Sequence, residues 1–180
     1  MKRPLLTLST LASAVSFCFA APAVAATACA DLAKLALPDT KITVAERVPA
    51  GGFSAPGAQQ PLQVPALCRV AGTVAPAINF EVWLPEGSAW NGRFQAVGGG
   101  GLAGIISYPA MAEAVRGGYA SSSTDTGHVS TDTAWLLDRQ RITDYGYRAI
   151  HEMTVKAKAV IETHYGRAAE YSYFNGCSTG

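Results

Sequence analysis

The residues with the clearest chemical potential lie in the run Gly176-Cys177-Ser178-Thr179-Gly180. This run matches the pattern G-x-S-x-G, in which a serine occupies a sharp turn between a strand and a helix and exposes its hydroxyl group. Small residues two positions before and after the serine allow the neighbouring backbone to approach closely. The pattern predicts Ser178 as a nucleophile and the N–H of Thr179 as one donor to a reaction oxyanion. A glycine-rich turn with an idle serine is the competing interpretation.

A second glycine run, from Gly98 to Gly101, follows a predicted strand that ends at Val97. The sharp turn that carries such a serine is called a nucleophile elbow. In hydrolases with this elbow, a glycine-rich loop after an earlier strand supplies the second N–H donor to the oxyanion. The stretch from Gly99 to Gly104 also fits G-x-G-x-x-G, and Asp125 follows 21 residues after Gly104, as in a dinucleotide site. This alternative is weaker, because no helix begins directly after the glycines and because the chain is predicted to be exported.

Three histidines are candidates for a general base, and all of them precede the serine. His151 and His164 fall on a predicted long helix, at its surface or flank. His128 falls in a polar loop that borders the predicted site, where a structural hydrogen bond is a better interpretation than catalysis. In the elbow pattern, the acid and the histidine follow the serine in chain order. Without a base, the neutral hydroxyl of Ser178 is a poor nucleophile.

Hydrophobic periodicity predicts the elements that must position these residues. Strands are predicted over residues 42–48, 70–74, 78–84, 93–97, 119–123 and 171–174. Helices are predicted over residues 27–40, 109–116 and 144–165, and residues 49–66 are predicted as a loop rich in glycine and proline. The antiparallel start followed by strand–helix–strand–helix–strand indicates an α/β sheet with crossover helices.

Two amphipathic patterns assign faces to these elements. In the strand over residues 78–84, the odd positions 79, 81 and 83 (Asn79, Glu81 and Trp83) are predicted to face away from Ile78, Phe80, Val82 and Leu84. On the long helix, Glu152 and Lys156 are spaced as an i,i+4 pair and are predicted to lie on its outer face. Gly166 is predicted to end this helix in a left-handed conformation.

The composition is that of a folded domain with an export signal. Of the 180 residues, 49% are hydrophobic, and the net charge of +1 does not indicate a nucleic-acid partner or an anionic membrane surface. Residues 1–26 combine Lys2 and Arg3 with an apolar stretch of about 15 residues and a small-residue cleavage site, which predicts a secretory signal peptide. Its removal leaves 12 of the 14 basic residues beside 13 acidic ones, a net charge of −1 for residues 27–180. We expect this mature part to be secreted or periplasmic, without membrane association.

The mature part contains three cysteines, an odd number for an exported chain. One available pairing joins Cys29 to Cys68, which would tie down the mature N-terminus and stabilise the fold by about 4 kcal/mol in the chain-entropy model. Cys177 is then free, bonded between molecules, or bonded to a cysteine that this sequence does not contain. A disulfide role for Cys177 is favoured over a nucleophilic one.

Several runs of the mature part resemble the tannase/feruloyl esterase family of α/β-hydrolases, which also contains the bacterial hydrolase of mono(2-hydroxyethyl) terephthalate. The runs that carry the resemblance are Leu84-Pro85, Trp90-Asn91-Gly92-Arg93-Phe94, Gly98 to Gly101, Thr124-Asp125-Thr126-Gly127-His128, Asp144-Tyr145-Gly146-Tyr147, Tyr165-Gly166-Arg167-Ala168-Ala169 and Ser172 to Gly180. The resemblance implies an exported enzyme that hydrolyses esters of aromatic acids, such as galloyl, feruloyl or chlorogenate esters. It implies Ser178 as the nucleophile, with Gly101 and Thr179 as the oxyanion N–H donors.

The resemblance also implies the state of the cysteines. Cys29 and Cys68 look like the family's N-terminal disulfide. Cys177 looks like the cysteine that the family bonds to a second cysteine beside the triad histidine. That histidine, its neighbouring cysteine and the triad acid are absent from this sequence.

The implied fold of residues 27–180 is the N-terminal part of an α/β-hydrolase. Family members are much longer, with a lid domain after the elbow, which often binds calcium, and a C-terminal part of the core beyond it. Both are absent here, so no cofactor is expected in this segment. The sequence therefore looks like an N-terminal fragment, and we expect it to be unstable and inactive alone, with its last strand left as an uncovered edge.

Two other functions stay open besides an esterase whose partner is a small aromatic ester. One is a serine peptidase or lipase with the same elbow. The other is a catalytically inactive secreted binding module that keeps the sheet.

Overall fold

The computed structural model describes residues 26–102, 104–129, 131, 133–178 and 180. The predicted signal peptide, except for Ala26, lies outside these residues. The strands are β1 (Thr40–Val48), β2 (Gly51–Phe53), β3 (Leu62–Val64), β4 (Leu67–Val74), β5 (Ile78–Pro85), β6 (Arg93–Val97), β7 (Ala120–Thr124) and β8 (Tyr171–Asn175). The helices are α1 (Tyr108–Arg116), α2 (Arg139–Thr143) and α3 (Ala149–Tyr165).

Six of these strands form one mixed sheet in the order β1-β4-β5-β7-β6-β8. The pairs β1–β4, β4–β5 and β5–β7 are antiparallel, whereas β6 runs parallel to both β7 and β8. Helix α1 connects β6 to β7, and the long helical segment that ends with α3 connects β7 to β8. The α/β class with crossover helices is therefore confirmed.

The two faces of the sheet carry separate apolar cores, as the alternation in β5 predicts. On one face, α3 packs against the residues predicted to share a side of β5 and against the Cys29–Cys68 region (Leu32, Val70, Ile78, Phe80, Val82, Leu84, Phe94, Met153, Val160 and Ile161). On the other face, α1 and the β2–β3 hairpin pack around Trp83 (Val48, Val64, Leu67, Val97, Met111, Ala112 and Val115). The sheet is thus covered on both sides along β4, β5, β6 and β7.

Predicted strands and helices were mostly right in position and wrong in some of their limits. The predicted loop over residues 49–66 contains the short β2–β3 hairpin. The predicted helix over residues 27–40 is limited to one 3₁₀ segment, Cys29–Lys34, after which Leu35 is already extended. Pro38 cannot donate a backbone hydrogen bond, so the chain turns into β1 instead of extending the helix.

The long helical segment starts earlier than predicted. It begins with α2, where the Asp138 carboxylate accepts hydrogen bonds from the backbone N–H groups of Gln140 and Arg141. A π-helical turn, Asp144–Arg148, joins α2 to α3. Gly166 ends α3 with a φ of 69°, the left-handed conformation that was predicted for it.

The prediction that Lys156 lies on the outer face of α3 is wrong. Its side chain is 7% exposed, and its ammonium group forms an ion pair with Glu152 at 3.0 Å. Lys156 lies three residues after Met153 and four before Val160, so it shares their buried side of the helix. The aliphatic stem is buried while the charged end reaches its partner.

A buried polar network lies on the α1 face. Both Glu81 oxygens accept hydrogen bonds from Arg69, at 2.9 and 2.6 Å, and Trp83 and Tyr108 donate to the same carboxylate. Glu81 is 2% exposed, so these four bonds replace the water that its charge loses. Burial, together with the Glu81 charge, raises the pKa of Tyr108.

The two edges of the sheet differ. Near β1, a disulfide joins Cys29 to Cys68, as the family resemblance implies. At the other edge, all five residues of β8 are exposed, including Tyr171, Tyr173 and Phe174. Among the described helices, none has the length and hydropathy needed to cross a membrane.

Candidate active site

The two glycine runs meet at the carboxyl edge of the parallel strands. The first follows β6 and the second follows β8, and Val97 is paired in register with Asn175 at the ends of these two strands. From β6 the chain moves to β7 on one side, while β8 lies on the other side. In open α/β sheets, ligands bind outside the carboxyl ends of the strands where the winding direction changes. Topology therefore favours a site at this corner.

The backbone of the predicted nucleophile is strained. Ser178 has a φ of 62°, in the left-handed region that residues with a Cβ rarely adopt. Such a conformation costs about 1–3 kcal/mol and is concentrated at functional sites. The side chain is exposed beyond the end of β8. A sharp, strained turn with an exposed hydroxyl is the physical requirement of the elbow pattern.

Glycines allow the two runs to touch through their backbones. A Cβ atom added at Gly98 or at Gly176 would overlap the backbone of Gly180, and one added at Gly180 would press against Gly99. A Cβ atom at Gly100 would lie 3.6 Å from the Cys177 carbonyl oxygen and 4.0 Å from the Ser178 Cβ. The corner thus requires the absence of side chains at its points of closest approach. We refer to residues 98–102 as the glycine loop and to residues 176–180 as the elbow.

Hydrogen bonds anchor the start of the glycine loop. The N–H of Gly98 donates to the Asn175 carbonyl at 3.0 Å, which ties the loop to the end of β8. The Ser107 hydroxyl donates to the Gly98 carbonyl at 3.2 Å. The backbone N–H of Ser107 in turn donates to the Ser123 hydroxyl at 3.0 Å. The two peptides that flank Gly98 are therefore held, one from β8 and the other from the start of α1.

Two aromatic residues hold the far end of the loop. The Tyr145 hydroxyl donates to the Gly101 carbonyl at 2.8 Å, and Nε2 of His128 contacts the carbonyl of Leu102. The His128 ring stacks on Trp135 with ring centroids 4.2 Å apart and meets the edge of Tyr145 at 5.6 Å. We refer to His128, Trp135 and Tyr145 as the aromatic cluster. Sequence reasoning assigned no role to Tyr145 or Trp135.

The described contacts of the histidines are structural. Because a carbonyl oxygen only accepts, Nε2 of His128 carries the proton in its contact with Leu102, and Nδ1 lies 3.3 Å from the Thr126 hydroxyl. His164 contacts the Thr27 carbonyl through Nδ1, and burial lowers its pKa. His151 is exposed on α3. The interpretation of His128 as a structural residue fits these contacts better than that of a general base.

The remaining predicted site residues are placed as follows. Gly101 lies in the glycine loop with a φ of 62°. Thr179 lies outside the described residues. Cys177 is exposed and has no disulfide partner among the described cysteines.

An open apolar cavity of about 490 Å³ lies beside the segment that follows the glycine loop. Its walls come from the β2–β3 hairpin and from residues 104–109, and two polar residues, Asn79 and Asp125, also line it (the others include Pro56, Ala58, Leu62, Ile105, Ile106, Tyr108 and Pro109). Asp125, the acid of the dinucleotide alternative, accepts hydrogen bonds from Asn79 and from the N–H of Gly127. Burial raises the pKa of Asp125. Its carboxylate is occupied within the fold, which disfavours a ribose-binding role.

Residues that could hold a metal are not clustered in the described part of the chain. No group of three or more histidine, cysteine, aspartate or glutamate side chains with suitable spacing occurs there.

Comparison with known proteins assigns a family. The sequence pattern of the family "Tannase and feruloyl esterase" matches residues 62–180. An uncharacterized esterase of Xanthomonas campestris pv. campestris is 42% identical over 163 residues, which cover 87% of this chain and 28% of the relative. Feruloyl esterase B of Aspergillus niger is 34% identical over 119 residues, 63% of this chain and 22% of that protein.

Solved structures give the same result for the fold. The crystal structure of an esterase from Aspergillus oryzae matches with a TM-score of 0.77 at 30% identity, over 84% of this chain and 32% of that one. Feruloyl esterase B from Aspergillus oryzae matches with a TM-score of 0.75 at 32% identity, over 84% and 31% of the two chains. The chain spans less than a third of the length of these relatives.

Proposed function

Because the chain belongs to the tannase and feruloyl esterase family, we propose that it supplies the nucleophile and the oxyanion donors of an exported serine carboxylic ester hydrolase. Its fold is the N-terminal part of an α/β-hydrolase. The substrates we propose are small esters of aromatic acids. The relatives named feruloyl esterases support this substrate class.

The proposed reaction has two steps. Ser178 Oγ attacks the ester carbonyl carbon while its proton passes to a general base, and the carbonyl oxygen becomes an oxyanion that accepts hydrogen bonds from the N–H groups of Gly101 and Thr179. The C–O bond to the alcohol then breaks, and the alcohol leaves with the proton. Water next attacks the acyl-enzyme carbonyl carbon and gives a proton to the base. The bond to Ser178 Oγ breaks, Oγ takes up that proton, and the aromatic acid is released.

The observation that carries the proposal is the conformation of Ser178 opposite the glycine loop. Its φ of 62° turns the chain sharply at the carboxyl end of β8. The Cβ position of Gly100 lies 4.0 Å from the Ser178 Cβ, so the loop and the serine border the same space. A flexible turn with a non-catalytic serine would need neither a strained serine backbone nor close contacts between glycines. These two features therefore favour the nucleophile over that interpretation.

We propose that the general base and its orienting acid come from sequence outside these 180 residues. His128 and His164 are engaged with backbone carbonyls, and His151 is exposed on α3. The greater length of the relatives leaves room for such residues. For the same reason we propose that Cys177 forms a disulfide with a cysteine outside this sequence.

Export is part of the proposal. The signal-peptide pattern in residues 1–26 supports it, and so does the Cys29–Cys68 disulfide, because such bonds persist in oxidising compartments. A secreted or periplasmic enzyme would meet extracellular esters of aromatic acids without crossing a membrane.

The test is ester hydrolysis by the protein expressed from its natural gene, with Ser178→Ala as the variant and Ser172→Ala as the matched control. Ser172 is an exposed serine of β8. With methyl ferulate as substrate, we expect Ser178→Ala to lose at least about 10³-fold in kcat and Ser172→Ala to stay within about twofold. Turnover by Ser178→Ala near the wild-type rate would refute the proposed nucleophile. The purified 180-residue chain should give no turnover, because it lacks the base.

A further inference from the structure

We propose that Tyr145 and His128 are positioning residues for the oxyanion hole, which act by fixing two consecutive carbonyl groups of the glycine loop. This inference rests on the proposed function, because it assigns a task within the same site. Neither residue is proposed to touch the substrate.

The hydrogen bonds define the direction of the loop. Tyr145 donates to the carbonyl of Gly101 at 2.8 Å, and His128 donates to the carbonyl of the next residue, Leu102. In a planar trans peptide, the N–H points opposite to the C=O, so holding a carbonyl also orients the following N–H. These bonds fix the two peptides that flank Leu102 and so restrict its φ and ψ angles. The Gly101 N–H, the proposed donor, lies in the preceding peptide. It is therefore placed between these fixed carbonyls and Gly98, whose N–H and carbonyl are held from the other end of the loop.

Glycine makes such restraints necessary. A Cβ atom at Gly101 would meet no atom within 4 Å, so close packing in the Cβ direction does not fix this residue. Gly98, at the other end, is closely packed against the elbow. A glycine in an open position has many accessible conformations. Hydrogen bonds therefore restrict the backbone near Gly101, whereas close packing restricts it at Gly98.

Ring contacts within the aromatic cluster hold the two donors in place. His128 is 3% exposed and Trp135 2%, and their rings stack. Tyr145 lies in the π-helical turn, a feature that is rare in helices and is frequent at functional sites. The fully buried Asp144 secures this turn through an ion pair with Arg148 at 2.8 Å.

The primary test is Tyr145→Phe in the protein expressed from its natural gene, because it removes only the hydroxyl. The matched control is Tyr147→Phe, since Tyr147 lies in the same turn and is 68% exposed. With methyl ferulate, we expect Tyr145→Phe to lower kcat about fivefold to tenfold, the value of one hydrogen bond, while KM and the thermal midpoint stay unchanged. Tyr147→Phe should change none of these values.

A second measurement separates positioning from a structural role. An arylboronic acid forms a tetrahedral adduct with a serine hydroxyl and so probes the oxyanion hole. The affinity of Tyr145→Phe for this acid should fall by the same factor as kcat, whereas a structural role would lower the thermal midpoint and change KM. At position 128, His128→Gln keeps an N–H donor and should retain more activity than His128→Leu.

The outcomes distinguish the inference from the proposed function. If Ser178→Ala is inactive and Tyr145→Phe keeps the wild-type kcat and boronic acid affinity, the positioning role is wrong and the nucleophile stands. If Ser178→Ala is active, the proposed function itself fails.

Discussion

The core beneath α3 and the glycine corner at the carboxyl edge are built by opposite means. The core is made of large side chains with almost no exposed area, such as Phe80, Met153 and Ile161. The corner, formed by the glycine loop and the elbow, has contacts that depend on missing side chains, and its serine is strained and exposed. Packing of large side chains stabilises the core. The corner instead has a defined but strained backbone geometry, which lowers its stability.

This difference shows where each kind of substitution should act. Changes in the packed sheet should alter the free energy of unfolding and leave the chemistry of folded molecules intact. Changes in the corner should do the reverse.

The largest effect is expected from Gly98→Ala. The added Cβ would overlap the Gly180 backbone, so the loop and the elbow must separate. Because the serine and its oxyanion donors would both move, we expect ester hydrolysis to fall by about 10³-fold or more. Gly100→Ala is the matched comparison, since its Cβ would make ordinary contacts at 3.6 and 4.0 Å. Equal losses in the two variants, measured as kcat/KM, would contradict the proposed close approach.

Removal of the Cys29–Cys68 disulfide should have the largest effect on stability. The bond closes a loop with a sequence separation of 39 residues. We expect the double variant Cys29→Ala/Cys68→Ala to lose about 4 kcal/mol of unfolding free energy in the chain-entropy model. Urea unfolding followed by tryptophan fluorescence measures this change. The boundary between core and corner would be wrong if the folded variant also lost kcat.

Arg69→Met should destabilise the sheet by a comparable amount. It leaves the buried Glu81 carboxylate without its charged partner, and breaking a buried pair costs about 3–5 kcal/mol. Arg47→Met is the control, because the Arg47 side chain, paired with Glu86, is 74% exposed. We expect that control to cost less than about 1 kcal/mol in the same unfolding experiment. Similar costs for the two variants would show that the network on the α1 face is not as buried as described.

The smallest effect is a pH dependence from His164. Burial lowers its pKa in the folded state, whereas its pKa in the unfolded chain is about 6.5. The unfolded state therefore binds more protons just below that value. The stability contribution is present above pH 6.5 and is lost as the pH falls toward the folded-state pKa. Replacement of His164 by glutamine should make the urea midpoint depend less on pH between pH 7.5 and 5.5. An unchanged slope of midpoint against pH would contradict this assignment.

Much of the fold could be predicted because periodicity reports burial directly. The alternation in β5 assigned its two faces correctly, and β6 was placed within its observed limits. The β2–β3 hairpin was missed because three-residue strands are too short to show a period. Lys156 was misplaced because a charged residue is normally assigned to water, although its stem fits a buried stripe.

The site could be predicted only where chemistry leaves a local pattern. The elbow and the glycine run are visible in sequence because they need small residues at fixed spacing. Tyr145 and His128 act on carbonyls that lie 44 and 26 residues away. Since every residue has a carbonyl group, such contacts leave no signature in the acceptor segment, and only the fold brings the partners together.

The most direct test of the central claim is the location of a covalent label. A fluorophosphonate forms a bond between phosphorus and an activated serine oxygen and releases fluoride. In the protein expressed from its natural gene, we predict one phosphonyl group on Ser178 by peptide mass mapping, with loss of methyl ferulate hydrolysis and no label in Ser178→Ala. A label on another residue with Ser178 unmodified and activity lost would contradict the claim that the elbow carries the nucleophile.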